Sequence, residues 1–208
     1  TDPGTKFPPS EKWRGVQILR CWSSGFGKGA KWKRALDFAS FFVTCALRVA
    51  SIDRVDAVVA LTSPPLVSAL GAVTARSKKA RFIYWVMDLN PDEAIAAGWL
   101  RQGSFTAMVL DRVSRFSLER SDQVVALDRF MAERLARKGV PAEKIRVIPP
   151  WSQDDAVNFD PDGAADFRRS YELEGKFLVM YSGNHSPCHP LDTLMNAARR
   201  LRENPDVI

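Results

Sequence analysis

The sequence predicts an α/β protein built around a parallel sheet, and three observations carry that expectation. Short apolar, β-branched runs recur along the chain and suit strands buried on both faces. Longer stretches with helical hydrophobic spacing alternate with them. One stretch, Ser121 to Trp151, contains the whole pattern as a single βαβ unit.

Within that stretch, Val124 to Leu127 is an apolar run bounded by polar residues, and a helix follows at once. Asp128 can cap it, because its carboxylate can accept from the free amides of the first turn. Gly139, with Pro141 just beyond, is a stop signal. Ile145 to Ile148 is the second strand, joined to the first by a right-handed crossover. Pro149, Pro150 and Trp151 then end the sheet, since two prolines cannot continue a ladder.

Taken from its start, the chain opens with TDPGTKFPPSEKW, which shows no periodicity and reads as a loop or a cut end. Gly15 to Arg20 suits a strand. Ser23 to Ala30 is a loop in which GFGKGA matches the G-x-G-x-x-A dinucleotide fingerprint. That fingerprint needs an acidic residue at the end of the next strand to hold a ribose. Here the next strand, Asp56 to Leu61, runs into Thr62 and Ser63, so a basic surface loop is the better reading.

Lys31 to Ala50 is the strongest helix. Trp32, Ala35, Leu36, Ala39, Phe42, Val43, Ala46, Leu47 and Ala50 follow helical spacing and are expected to face the core. Phe38, Phe41, Cys45 and Val49 form a second apolar seam. Lys28, Lys31, Lys33 and Arg34 crowd the helix start, where the macrodipole disfavours positive charge. Two readings stay open: both seams are buried between sheet and helices, or the basic and aromatic residues, with Phe38 and Phe41, face an anionic membrane surface.

After the Asp56 to Leu61 strand, Thr62, Ser63, Pro64 and Pro65 predict a hydroxyl-capped helix running to about Ser77. Phe82 to Val86 is the next strand and ends in MDLNPDEA. Ligands of open parallel sheets collect at the carboxyl ends of the strands. Thr62, Ser63, Asp88 and Asp128 are therefore expected along one functional rim, with Asp88 the leading candidate for catalysis; Asp92 and Glu93 suit the start of the following helix. Ser104 to Arg120 is an amphipathic helix with Phe105, Met108, Val109, Val113 and Phe116 on one side, and reads as scaffold, not site.

Beyond Trp151 the chain turns polar and acidic from Ser152 to Glu174, with a helix expected from Gly163 to Tyr171, and this reads as an interdomain linker. Phe177 to Ser182 is expected as a strand. Gly183, Asn184 and His185 make a turn before a helix from about Pro190 to Arg202, whose buried face is Leu191, Leu194, Met195, Ala198 and Leu201. Strand, glycine turn and helix start together offer free amides to a phosphate. His185, Cys188 and His189 lack a fourth partner nearby, so no metal is expected.

Composition bounds the possibilities. The 208 residues suffice for one full core and part of another. The organisation expected is a first domain over 1–151, a linker over 152–174 and the beginning of a second domain over 175–208. Three cysteines at wide spacing, Cys21, Cys45 and Cys188, argue against a disulfide framework and for a reducing compartment. A net charge of +6 favours anionic partners.

VALDRFMAERLARKGVPAEKIRVIPPW, followed after the linker by FLVMYSGNHSPCHPLDTLMNAARRL, resembles the bacterial family 4 glycosyltransferases of the GT-B fold, of the type that assembles polysaccharide and capsule. VVALTSPPL and FIYWVMDLNPDEAIAAG resemble the amino-terminal domain of the same group, so the likeness extends from Gly15 onward. It implies a Rossmann-like, doubly wound parallel sheet as acceptor-side domain, joined to the first βα unit of a second, nucleotide-sugar-binding Rossmann-like domain. It further implies retaining transfer from a nucleotide diphosphate sugar to a lipid-linked or polysaccharide acceptor, by a cytoplasmic enzyme peripheral on the inner face of the plasma membrane. No metal or other cofactor is implied and no nucleic-acid partner. By position, Gly183 and Asn184 fall at the donor diphosphate and Asp88 at the acceptor-side rim.

The sequence departs from the pattern in places. Asn184 and the His189-Pro190 pair stand where many members carry a basic residue and a Lys-Gly pair. The family's first strand and glycine-rich acceptor loop, and the paired glutamates of its donor domain, have no counterpart here, so the chain is expected to be an inactive fragment of an active parent. A GT-B-type sugar-nucleotide epimerase and a non-enzymatic membrane-associated scaffold are the alternatives.

Overall fold

The βαβ unit expected after Ser121 is present: β5 (Gln123–Ala126) lies parallel to β6 (Ile145–Val147), with Val124 opposite Ile145 and Ala126 opposite Val147. Between them runs α5 (Arg129–Arg137), capped by Asp128, whose carboxylate accepts from the Met131 amide at 2.7 Å. Gly139, at φ +90°, ends the unit's helical stretch in a backbone conformation that glycine adopts without steric cost. The computed structural model describes residues 7–27, 29–151, 158–183 and 190–208. The chain divides into two compact units, one of Thr1–Pro91 and Phe105–Pro149, the other of Asp92–Ser104 and Pro150–Ile208.

The first unit holds a four-stranded parallel sheet in the order β3 (Ala57–Ala60), β4 (Arg81–Trp85), β5, β6. The order follows the chain, so β3 and β6 are the edges among the described strands. Two groups of Asp122 fix β5 against β4: its carboxylate accepts from the Phe82 amide at 2.7 Å and its own amide donates to the Phe82 carbonyl at 2.8 Å. Helix α2 (Val67–Lys78) packs on β3 and β4, α4 (Phe105–Arg120) on β4 and on α2, and α5 on β5 and β6. Phe82, Val86, Val124, Ala126 and Leu135 are fully enclosed there. A fully buried Phe, Leu or Val contributes about 1.5–3 kcal/mol relative to an exposed one.

Helix α2 begins later than the sequence suggested. Thr62 and Ser63 do not cap it; the chain turns through Leu66 in the left-handed region, at φ +76°, and the helix starts at Val67 without a side-chain cap. Helix α4 turns only part of its apolar side inward: Phe116 packs against the core and Val113 is half-buried. Phe105 is 81% exposed and Met108 and Val109 also face outward, whereas Ala107, Ser114, Ser117 and Leu118 are buried. The cause is the small-residue face of α2. A Cβ on Gly71 would lie 2.7 Å from Ala60 Cβ and 3.0 Å from the Phe82 ring, so α2 sits close on the sheet. Ser68 then meets Ser117 directly, Oγ to Oγ at 2.9 Å, leaving no room for large residues between the helices.

Part of the opening segment, read from sequence as a loop, forms a strand among the described residues. Ser10–Trp13 forms β1, antiparallel to β2 (Val16–Leu19), and Arg14 and Gly15 at φ +46° and +84° make the two-residue turn. Helix α1 (Lys31–Ala50) has the expected bounds, but of its expected core face Phe42 and Ala46 are half-buried and the larger part is exposed. Trp32, Leu36, Val43 and Leu47, expected in the core, are exposed, while Phe38, Phe41, Cys45 and Val49 are half-buried. The helix directs its Asp37, Ser40 and Thr44 face at the segment 22–27 and is tied to α2 only near its end, where Lys78 Nζ donates to the carbonyls of Ala50 and Ile52. No described element lies over the Trp32 stripe closely enough to bury it.

The second unit contains α3 (Asp92–Ala96), α6 (Gly163–Ser170) and α7 (Asp192–Leu201). Among its described residues, the strand expected at 177–182 is reduced to a parallel bridge between Phe177 and Val207, extended by the Val179 amide donating to the Ile208 carbonyl at 2.8 Å. Leu194, Met195 and Leu201 of α7, expected to be buried, stay exposed and line an apolar groove with Val179 and Ile208, because a single bridge offers too little sheet to cover them.

Candidate functional site

Parallel pairing of β3 with β4, Ala60 opposite Tyr84, sends both chains out at the same rim of the sheet. Thr62 lies just past β3 and is buried, whereas Asp88, just past β4, is exposed. The structure brings these two together: the Asp88 amide donates to Thr62 Oγ1 at 3.2 Å, and that hydroxyl donates in turn toward Asp88 Oδ2 at 3.4 Å. The backbone of Asp88 is thereby fixed and its carboxylate faces solvent, able to accept further hydrogen bonds.

Beneath the rim lies a crevice lined by Thr62, Leu66, Ser68, Tyr84, Asn90 and Ser114. At about 20 Å³ it is too small for a sugar ring, so a substrate at this rim must lie over Asp88, not within the crevice. Sequence reasoning missed Tyr84 and Ser68. Tyr84 is enclosed, and burial pushes its hydroxyl above the usual range; a hydrogen bond with Ser68 opposes the shift and the Asp88 charge adds to it. The phenol therefore stays protonated, a neutral polar group beneath a charged one. The only sequence signal was a tyrosine within an otherwise largely apolar strand, RFIYW.

Ser63 is exposed beside Thr62 and touches neither partner of the Thr62–Asp88 pair in a described hydrogen bond. Asp128 is exposed at the end of β5, and its carboxylate serves the α5 cap. In the second unit Gly183 is exposed, and a Cβ there would meet the Tyr181 hydroxyl at 2.9 Å, the movable end of an exposed side chain. Asn184 and His185 lie outside the described residues, as do Cys188 and His189. Helix α7 starts after Leu191 with no side-chain cap. Among the described residues no group of three His, Cys, Asp or Glu side chains is arranged to hold a metal.

The residues expected at a membrane are described in part. Lys28 and the Lys31 side chain lie outside the description. Lys33 Nζ stands 5.7 Å from the Trp32 ring centre, and the Arg34 guanidinium stands 5.4 Å from that of Phe38. Phe38 and Phe41 are half-buried, and in the segment and helix around them Trp22, Phe26 and Trp32 are exposed, the last two with ring centres 6.4 Å apart. In the described part of the loop that matches a dinucleotide fingerprint, the Phe26 and Gly27 amides are already engaged, donating to the Asp37 carboxylate at 2.8 and 3.0 Å. No helix among the described residues is long and apolar enough to cross a membrane.

Comparison with known proteins places this geometry in a family. The profile of the glycosyl transferase 4-like domain matches residues 1–151. WcaI of Escherichia coli (strain K12), assigned as a colanic acid biosynthesis glycosyl transferase, is 30% identical over 172 residues, covering 80% of this chain and 41% of WcaI. WbjE of Pseudomonas aeruginosa, a probable glycosyltransferase, is 22% identical over 72% of this chain and 37% of its own length. The chain thus spans about two-fifths of these relatives. Anabaena HepE crystallised with UDP-glucose superposes with a TM-score of 0.56 at 16% identity, over 86% of this chain and 43% of HepE. HepE with UDP gives 0.53 at 15% identity, over 81% and 52%. These likenesses agree with the α/β fold and its parallel sheet, and the profile and WcaI matches establish that the chain belongs to the glycosyl transferase 4-like family, of the GT-B fold.

Proposed function

We propose that the protein containing this chain transfers a sugar, with retention at the anomeric carbon, from a nucleotide diphosphate sugar to a lipid-linked or polysaccharide acceptor in cell-surface glycan assembly. Family membership supports the reaction class, and the UDP-glucose bound by HepE makes a uridine nucleotide the first donor to test. The observation that carries the reading is the Asp88 carboxylate, exposed on the carboxyl-end rim and pinned through its amide to buried Thr62.

Departure of a nucleotide diphosphate leaves negative charge on oxygen while positive charge grows at the anomeric carbon. In this reading Asp88 accepts a hydrogen bond from the acceptor hydroxyl or faces the developing cation, with Thr62 and Ser63 beside it. Gly183, with Asn184 and His185 next to it in sequence, and the uncapped start of α7 supply amides to the diphosphate in this reading, without a metal. Closure of two domains excludes water, which would otherwise convert transfer into hydrolysis. Lys33, Arg34 and the exposed Trp32 and Phe26, with Lys28 and Lys31 nearby in sequence, rest on the anionic inner face of the plasma membrane, where a lipid-linked acceptor is presented.

The test is transfer by the full-length protein, given UDP-glucose and other nucleotide sugars with lipid-linked acceptor. Glycosylated acceptor that persists in EDTA and is lost in Asp88→Ala supports the reading. Conversion of the donor without acceptor would instead identify an epimerase. Absence of both reactions, with flotation on anionic vesicles retained, would leave a membrane scaffold.

A further inference from the structure

We propose that Cys21 and Cys45 form a reversible dithiol site, oxidised to an intramolecular disulfide by a small-molecule disulfide such as oxidised glutathione. The two cysteines are far apart in sequence, and a hydrogen-bonded register brings them together. The segment 22–27 runs antiparallel along α1: Thr44 Oγ1 donates to the Trp22 carbonyl at 2.7 Å, the Ser24 amide to Ser40 Oγ at 2.9 Å, and the Phe26 amide to Asp37 at 2.8 Å. The next positions outward from the Trp22–Thr44 contact are Cys21 and Cys45. Both are free and partly accessible. Burial raises the Cys45 thiol above its ordinary range and the neighbouring Cys21 thiol adds to that, in accord with direct contact between the two.

The chemistry balances without a further reactant. A cysteine thiolate attacks one sulfur of the reagent, forming a mixed disulfide and releasing one thiolate. The second cysteine then attacks the protein-bound sulfur and expels the second thiolate. The protons of the two cysteines end on the two released glutathiones, the pair is oxidised by two electrons, and the reagent is reduced by the same two. The bond would tie the segment bearing Trp22 and Phe26 covalently to the helix bearing Trp32, adding to the hydrogen bonds and the Phe26–Trp32 ring contact that hold it.

The experiment uses full-length protein with Cys188 and any other cysteine replaced by Ser, treated with oxidised glutathione and read by intact mass, maleimide labelling and peptide mapping. The expected result is loss of both maleimide additions, a mass lower by two hydrogens with no glutathione retained, a Cys21–Cys45 linked peptide, and full reversal by dithiothreitol. Cys45→Ser in the same background should retain one glutathione on Cys21, because no second thiol remains to displace it. Retention of glutathione on both cysteines of the parent, or undiminished labelling of both under conditions that oxidise a reference dithiol, would overturn the proposal. Matching circular dichroism of the variants excludes misfolding as the cause.

Discussion

Thr62 Oγ1 sits between the amide and the carboxylate of Asp88, 3.2 Å from the first and 3.4 Å from the second. Thr62→Val keeps the shape and removes the hydroxyl, leaving that amide without its acceptor. Loss of this part-buried hydrogen bond costs on the order of 1 kcal/mol, so urea denaturation should show a lower midpoint, with Thr62→Ser restoring most of it. Asp88→Ala should behave in the opposite way in the full-length enzyme. The exposed carboxylate contributes little to stability, while turnover should fall by about a hundredfold or more if it acts on developing charge; an unchanged rate would remove Asp88 from the site.

Asp128 separates a structural role from a site role. Its carboxylate accepts from Met131, and replacing a capping Asp by Ala costs about 0.5–2 kcal/mol. Asp128→Ala is expected to lower the unfolding free energy by that amount, read from urea denaturation, and Asp128→Ser to recover it with turnover unchanged. A turnover loss that Ser does not rescue would show substrate contact.

Gly71 is where α2 lies closest to the sheet. An added methyl meets Ala60 Cβ at 2.7 Å and the Phe82 ring at 3.0 Å. Neither neighbour is the free end of a flexible chain, so Gly71→Ala should overpack the unit and destabilise it by about 1–3 kcal/mol despite the better helix propensity of alanine. Calorimetry of the variant gives the sign directly.

Asp37 makes the segment 24–27 sensitive to acid. The Ser24 hydroxyl bonded to its carboxylate lowers its pKa below the ordinary 3.8, partial burial opposes this, and the Phe26 and Gly27 amides lower it further. A carboxyl depressed in the folded state contributes stability above its unfolded value, and that contribution is lost as pH falls through the folded one. The segment should stay docked at neutral pH and release only in acid below 3.8, read from the Phe26 and Gly27 amide resonances. Asp37→Asn should weaken the docking already at neutral pH.

Legibility in the sequence followed locality. The bounds of α1, the Asp128 cap and the βαβ unit around α5 depend on neighbouring residues and could be read directly. The hairpin at Ser10–Leu19 could not, because its turn uses Arg14 in a positive-φ position where Asn or Gly gives the usual signal. The start of α2 misled because TSPP has the chemistry of a cap, while the chain instead turns through Leu66. The buried face of α4 was set by a serine on another helix, which periodicity within α4 cannot reveal. The rim position of Asp88 was legible from its place after a strand; the Thr62 contact, the Tyr84 hydroxyl beneath it and the Cys21–Cys45 neighbourhood arise only when distant segments meet.

Strand β3 has β4 on one side and no described strand on the other, and Val59 and Leu61 are 54% and 45% exposed along it. A row of open backbone donors and acceptors flanked by greasy residues is a template that any extended peptide can join. Prepared by itself at high concentration, this polypeptide should accrete through that margin, and placing a lysine at Val59 should raise its solubility more than the same change at the already crowded basic start of α1.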